Sequence, residues 1–266
     1  MKTDSQLHSS ETANAVTEFI PEDNLTVVID SEQLDYTKEY SDEFYEEYIE
    51  RFQPNTKKKL FYRFVKRSFD IFASLLGLIL LSPVFLIIAI LIKCDSKGKV
   101  IFTHDRIGKD GKAFKCHKFR SMYESAPPSC ATSVLQNAEQ YYTRVGRVLR
   151  RTSLDELPQL FSVLIGKMSL IGYRPLVVTE EKCNNMRLRL GVFAMRPGIS
   201  GYAQVHGRDN VYYKNKAIMD AYYVKNASLG MDIKLLFQTV GVVLKRKGIQ
   251  SGEGKQEEKE TGKEEA

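Results

Sequence analysis

The chain lacks paired cysteines. Cys94, Cys116, Cys130 and Cys183 share no CxxC spacing and lie in unlike contexts. That argues against a zinc ribbon or a disulfide-stapled secreted scaffold and fits a reducing compartment. Also missing are a Walker loop, GxGxxG, GxSxG and HExxH, so the common nucleotide-loop, serine-hydrolase and zinc-peptidase motifs are absent. No internal repeat is visible. His206 stands without a second ligand in register, which suits a structural or substrate-near role. Cys116-His117 falls in a strand-like stretch with no partner pattern, so it does not read as a metal site. With 43% apolar and 27% charged residues among 266, a mostly disordered chain and a polytopic membrane protein are both ruled out. The length suits one large or two small domains.

Acidic residues are scarce in the middle of the chain. Residues 57–247 hold 33 basic and 13 acidic side chains, a net charge of +20. Residues 1–56 carry −11 and residues 248–266 carry −3. A basic block between acidic ends suits polyanions: nucleic acid, an anionic membrane surface or phosphorylated substrates.

One apolar run chooses among these. Residues 71–92 are 22 residues without a charge, long enough as a straight helix for a hydrocarbon core of about 30 Å. The run starts too deep in the chain for a cleavable signal peptide. Ser82-Pro83 stands at its middle, where proline removes a donor and bends or breaks a helix. Both flanks are basic, with Lys57, Lys58, Lys59, Arg63, Lys66 and Arg67 before it and Lys93, Lys97 and Lys99 after it. The positive-inside bias keeps both flanks cytoplasmic, which a helix that enters, turns at Ser82-Pro83 and returns would satisfy. A kinked single span is the alternative, and a buried core helix the bland one.

Elsewhere the patterning predicts a strand at 25–29. Tyr36, Tyr40, Phe44, Tyr48 and Phe52 lie four apart, which predicts a helix over 35–52 that packs on the basic body or self-associates. Strands are expected at 100–107 and 112–122 around Lys109-Asp110-Gly111, a hairpin signal, with Lys118 and Arg120 on one face. Helices are expected near 133–149, 154–165, 179–190, 213–227 and 231–246. The last is amphipathic and suits either a membrane surface or a core edge. The tail from Gly248 reads as disordered. The fold class is α+β: a mainly helical, membrane-associated body with a small β-hairpin. In domain terms it divides into an acidic extension 1–56, a body 57–247 and a tail 248–266.

The densest chemistry lies in Arg150-Arg151-Thr152-Ser153-Leu154-Asp155-Glu156-Leu157-Pro158-Gln159. Ser153 and Glu156 have capping-box spacing, which places both carboxylates in a first helical turn, where the dipole keeps Asp155 ionised. An ionised, positioned carboxylate can be a nucleophile or a magnesium ligand; pure capping is the simpler reading. Arg174, Arg196 and Arg208 sit in or beside glycine-bearing turns and suit phosphate binding, although any one of them can equally pair with a carboxylate.

Five stretches carry a resemblance: KRSFDIFASLLGLILLSPVFLI, HDRIGKDGKAFKCHKFRSM, GRVLRRTSLDELPQLFSVLIGKMSLIGYRPL, RPGISGYAQVHGRD and MDAYYVKNASLGMDIKLLFQTV. In this order they resemble the bacterial sugar transferase family, the monotopic polyprenyl-phosphate phosphoglycosyl transferases, over about 64–250. The resemblance implies a re-entrant helix broken at Ser82-Pro83 in the bacterial inner membrane, with the active site on its cytoplasmic face. It implies that Asp155 attacks the sugar-bearing phosphate of a nucleotide sugar, usually a UDP-sugar, and releases UMP. The phosphosugar then passes to undecaprenyl or another polyprenyl phosphate, initiating an exopolysaccharide, capsule or O-antigen. It assigns Glu156 to holding Mg2+ and matches the family's arginine before proline with Arg174. Arg174, Arg196, Arg208, Lys118 and Arg120 are the candidate phosphate clamps, which with magnesium would offset repulsion between carboxylate and diphosphate. Where the family commonly has Gly-Pro-Arg-Pro this chain has Gly-Tyr-Arg-Pro, which is expected to free the backbone before Arg174. A membrane-anchored scaffold for glycan-assembly enzymes is the non-enzymatic alternative. A nucleic-acid partner is not expected. The identity of the sugar, and whether the chain forms a homo-oligomer, stay open.

Overall fold

A computed structural model of the chain describes residues 34–52, 59–127, 138–207 and 211–244. The expectations for the strand at 25–29, Cys130, Arg208 and the tail 248–266 lie outside the described residues. The chain divides into two units, Met1–Asp35 and Tyr36–Ala266. The second is mainly helical, with two small sheets among the described residues.

The apolar run is a bent helix pair. Helix α2 (Leu60–Leu80) and helix α3 (Ser82–Asp95) meet at 59°. Among the described residues no single helix is long and apolar enough to cross a membrane. The break follows from one missing donor. The Ile79 carbonyl would accept from the amide four residues on, but residue 83 is proline and has none. The Ser82 hydroxyl donates to that carbonyl instead, at 2.8 Å. Pro83 then occupies the first turn of α3, where a missing donor costs nothing. The break thus falls where expected, but α2 begins at Leu60 rather than 71. Its first turns carry Lys66 and Arg67 inside the protein. Lys66 pairs with Asp232 at 2.9 Å, and Arg67 donates to the Val163 and Leu164 carbonyls at 2.7 and 2.8 Å. Carbonyls at a helix end attract such a cation.

Strands β1 (Ile101–Ile107) and β2 (Ala113–Phe119) form the antiparallel hairpin the sequence predicts, in register Arg106 to Phe114 and Phe102 to Lys118. Asp110 and Gly111 take positive φ at the turn, as the hairpin signal requires. Ile88 and Ile92 of α3 pack with Phe119 and with Leu149 of helix α4 (Arg144–Thr152) in one buried cluster. The hairpin is therefore seated on the second arm of the bent pair.

The expected helix over 154–165 is two pieces. Ser153 takes the left-handed conformation (φ 57°) and ends α4, so its side chain caps nothing after it. Leu154–Glu156 is a single 3-10 turn, and helix α5 (Gln159–Leu164) starts after Pro158. The capping-box expectation fails because one residue cannot both close the previous helix in left-handed backbone and open the next in extended backbone. Of the expected helix over 133–149, residues 133–137 lie outside the described residues, and the rest is a 3-10 turn at Ala138–Tyr141 followed by α4 capped by Thr143.

A parallel pair, β3 (Ser169–Ile171) and β4 (Gly198–Ser200), was not expected. A Cβ on Gly172 would lie 2.5 Å from the Arg196 carbonyl, and one on Gly201 would lie 1.7 Å from the Gly172 carbonyl. These glycines serve close backbone approach. Helix α6 (Glu181–Arg189), the short helix α7 (Tyr202–His206), α8 (Tyr213–Asn226) and α9 (Leu229–Leu244) complete the body. All but α7 were expected. His206 is exposed and stacks on Tyr202 within its own helix.

Helix α1 (Asp42–Arg51) carries the aromatic ladder and packs on the body of the same chain. Tyr45 donates its hydroxyl to Asn215 at 2.8 Å, and Asn215 donates to the Tyr36 and Lys38 carbonyls. Arg189 grips both Glu46 oxygens.

Candidate active site

The Leu154–Glu156 turn is held between two helix ends and against β2, and its two carboxylates behave differently. Glu156 Oε1 accepts from Lys118 Nζ at 2.6 Å and from Arg174 Nη2 at 3.1 Å. Burial alone would push the Glu156 carboxyl up, but Lys118 and Arg174 outweigh it and hold it down at about 2. Asp155 is 7% exposed. None of the described residues hydrogen-bonds to its carboxylate. Burial raises its pKa above the usual aspartate range, against Lys118, which pulls it down. The sequence reading had the helix dipole keeping this group ionised; desolvation on a tight turn acts in the opposite direction.

A shallow void, open to solvent, lies beside the turn, lined by Arg106, Cys116, Lys118, Glu156, Gln159 and Arg174 with Pro175 and Gly198. Asp155 is not on its wall; it adjoins it through Glu156. Lys118, Glu156 and Arg174 come from β2, the 3-10 turn and the segment after β3, three parts distant in sequence.

Two expected clamps are placed elsewhere. Arg120 lies just past the end of β2 and donates to the Ser96 and Lys97 carbonyls at 2.7 and 2.6 Å and to Ser96 Oγ at 2.8 Å. Those carbonyls follow the end of α3, where a cation is favoured. Arg196 donates Nε to the Gly166 carbonyl at 2.8 Å, in the loop after α5. Neither lines the void. Arg208 lies outside the described residues. Arg106 and Cys116 do line it, and sequence reading missed both. Alternation in a hairpin does not say which face meets a distant turn.

The backbone before Arg174 is not freed by the tyrosine that replaces proline. Tyr173 is fully buried, and its carbonyl accepts from the Gly198 amide at 2.8 Å. Its ring lies under the Arg187 guanidinium, 5.6 Å from the centroid. Arg187 also donates to the Arg174 carbonyl at 2.9 Å. Packing restores the restraint that the proline ring would have supplied.

The family described as bacterial sugar transferase matches residues 61–246. The chain belongs to this family. It is 41% identical over 203 residues to a UDP-galactose-lipid carrier transferase of Erwinia amylovora, covering 70% of this chain and 42% of that one. It is 41% identical over 214 residues to an undecaprenyl-phosphate galactose phosphotransferase of Salmonella typhimurium, covering 74% and 44%. Over 200 residues it is 40% identical to the exopolysaccharide production protein ExoY of Rhizobium meliloti, covering 69% and 87%. The chain thus spans less than half the length of the first two of these relatives and most of the third. Every residue lining the void falls inside the matched range, whereas α1 lies outside it.

Proposed function

We propose that this chain transfers a sugar 1-phosphate from a nucleotide sugar, a UDP-sugar, to undecaprenyl or another polyprenyl phosphate at a membrane surface. The product would initiate an exopolysaccharide or related glycan. The observation that carries the reading is the unequal carboxylate pair: Glu156 held by two cations, and beside it a buried Asp155 to whose carboxylate no described residue hydrogen-bonds. Nothing in a scaffold requires such a pair. In the first step an Asp155 oxygen attacks the sugar-bearing phosphorus. The bridging P–O bond breaks, and its electron pair leaves with UMP. In the second an oxygen of the lipid phosphate attacks the same phosphorus, the P–O bond to Asp155 breaks, and the carboxylate is restored. Lys118 and Arg174 supply positive charge where the phosphoryl oxygens gather it. Relatives are named for galactose, N-acetylgalactosamine and glucose, so a panel of UDP-sugars with magnesium and undecaprenyl phosphate tests the reading directly. UMP release with one sugar supports it; silence across the panel from folded protein counts against it.

Magnesium fits this donor set. Both Glu156 cations take Oε1, which leaves Oε2 without either of them, and Asp155 offers a second carboxylate. Mg2+ is commonly held by one or two carboxylates together with substrate phosphates and water. When bound through Glu156 it would offset the diphosphate charge.

The pH profile follows from the pair. Asp155 must be ionised to attack, so activity should fall on the acid side with an inflection above the ordinary aspartate value of about 4. Glu156, at about 2, stays ionised throughout. Lys118→Met removes the strongest charge favouring ionised Asp155 and should move the inflection up. UMP release measured from pH 4 to 9 would show it, and an inflection unmoved by the substitution would detach Asp155 from Lys118.

The bent pair is read as re-entrant, with both arms returning to the cytoplasmic face. Phe61, Phe64, Phe72, Leu75, Ile79 and Leu80 of α2 are exposed, as are Leu86, Ile87, Ile90 and Leu91 of α3. Ile233, Phe237 and Val240 continue an apolar stripe on α9. Cys94, exposed at the end of α3, is a ready reporter. With the other cysteines replaced by serine, an impermeant maleimide should label it in inverted vesicles and not in intact spheroplasts. Replacing Ser82 and Pro83 together by leucine restores the missing donor and should extend labelling to the outside. Outside labelling of the parent protein would establish a single span instead.

A further inference from the structure

The void beside Glu156 is faced by three cations, and only two have a carboxylate. Lys118 and Arg174 share Glu156. Arg106 forms no ion pair with any described residue; its Nη1 donates to the Pro175 carbonyl at 3.2 Å. A guanidinium has five donors, so most of its fork is uncommitted. Arg120 is the contrast, with three shorter bonds into one turn and no place on the void.

The backbone holds Arg106 firmly. It pairs with Phe114 across the hairpin and bridges to Val177, and the next amide, of Ile107, donates to the Leu176 carbonyl at 3.0 Å. The strand is thereby laced to the segment that carries Arg174. Burial, and Arg174 beside it, both disfavour the charged form of Arg106. Glu180 and Glu156 favour its charge from further off, but neither pairs with it directly, and a half-buried guanidinium next to a second one, with no carboxylate in contact, is better satisfied when an anion arrives. Phosphate suits it, because the planar fork matches two of its oxygens.

We propose that Arg106 is a phosphate-binding residue of this site, receiving an oxyanion from the nucleotide-sugar diphosphate or from the polyprenyl phosphate. The proposal rests on the transfer reading above for the identity of those two sources. A ligand phosphate would complete the pattern: three cations around one void, with Glu156 holding two of them in place and Arg106 supplying the unneutralised charge.

The test uses the full-length detergent-solubilised protein with Arg106→Gln and Arg106→Lys. The first probe is inorganic pyrophosphate, titrated calorimetrically. Loss of charged hydrogen bonds should weaken its binding by about 10- to 100-fold in Arg106→Gln, with Arg106→Lys between that and wild type. Binding as tight as wild type in Arg106→Gln overturns the proposal. If Arg106→Gln does not fold, Arg106→Lys decides: weaker binding at an unchanged melting temperature supports the role, and unchanged binding overturns it. The second readout separates the sources. Slower UMP release without lipid assigns Arg106 to the donor diphosphate, whereas normal release with slower transfer to lipid assigns it to the acceptor. If wild type binds pyrophosphate through Arg106 yet turns over no nucleotide sugar, the transfer reading fails and the phosphate site stands.

Discussion

Asp155→Asn should reduce UMP release by at least about 10³-fold and abolish the phosphosugar adduct that wild type accumulates without lipid. The carboxamide has nearly the same shape, and no described residue hydrogen-bonds to Asp155, so the fold has little to lose. What changes is the nucleophile: an amide oxygen is neutral and cannot carry the phosphoryl group through two displacements. Glu156→Gln should differ in kind. It leaves Lys118 and Arg174 without the oxygen they share, so nucleotide-sugar KM and magnesium dependence should change along with kcat. The adduct is read by mass spectrometry of protein incubated with UDP-sugar and no lipid. An adduct that persists in Asp155→Asn would transfer the nucleophile's role to another residue, and equal UMP release would remove it from Asp155 altogether.

Arg187→Met should be the most destabilising single change in the body. Arg187 and Asp220 are 2% and 1% exposed and lie 2.5 Å apart. Removing one partner leaves the other charge buried without its countercharge, which costs about 3–5 kcal/mol. For a body of this size the melting midpoint should fall by roughly 10 °C. The double variant Arg187→Met with Asp220→Leu should recover much of that loss, because neither charge then needs solvating. Activity should not recover with it. Arg187 also donates to the Arg174 carbonyl and covers Tyr173. The double variant should therefore melt near wild type yet keep a raised KM for the nucleotide sugar. Full recovery of KM would make the pair purely structural.

Much of the candidate site was legible because the two carboxylates proposed for it lie close together in sequence. Asp155 and Glu156 are adjacent, and Ser82-Pro83 reports its own break, since a missing amide and a nearby hydroxyl are properties of the residues themselves. Lys118 was placed by strand alternation and Arg174 by its resemblance to a family motif. The same alternation misled at Arg120. One residue past the strand the chain turns, and the carbonyls after α3 take its side chain. Arg196 was drawn off in the same way by the Gly166 carbonyl. A sequence shows where cations are, but the strongest nearby acceptor settles where each one points. Ser153 failed for a related reason: its capping spacing is real, but the preceding helix needed that residue in left-handed backbone.

The basic body between acidic ends, the broken apolar helix, the hairpin, most of the helices and the carboxylate pair are written in the order of the residues. Each depends on periodicity, charge or a backbone donor within a few positions. It took the folded chain to make Lys118 and Arg174 share one Glu156 oxygen while no described residue hydrogen-bonds to the Asp155 carboxylate. Folding also joined β3 to β4 through glycines with no room for a Cβ, and brought Arg106 to the wall of the void. These depend on long-range packing, in which segments tens of residues apart meet because burying apolar faces leaves them little other arrangement. Such meetings leave no period in the sequence to read.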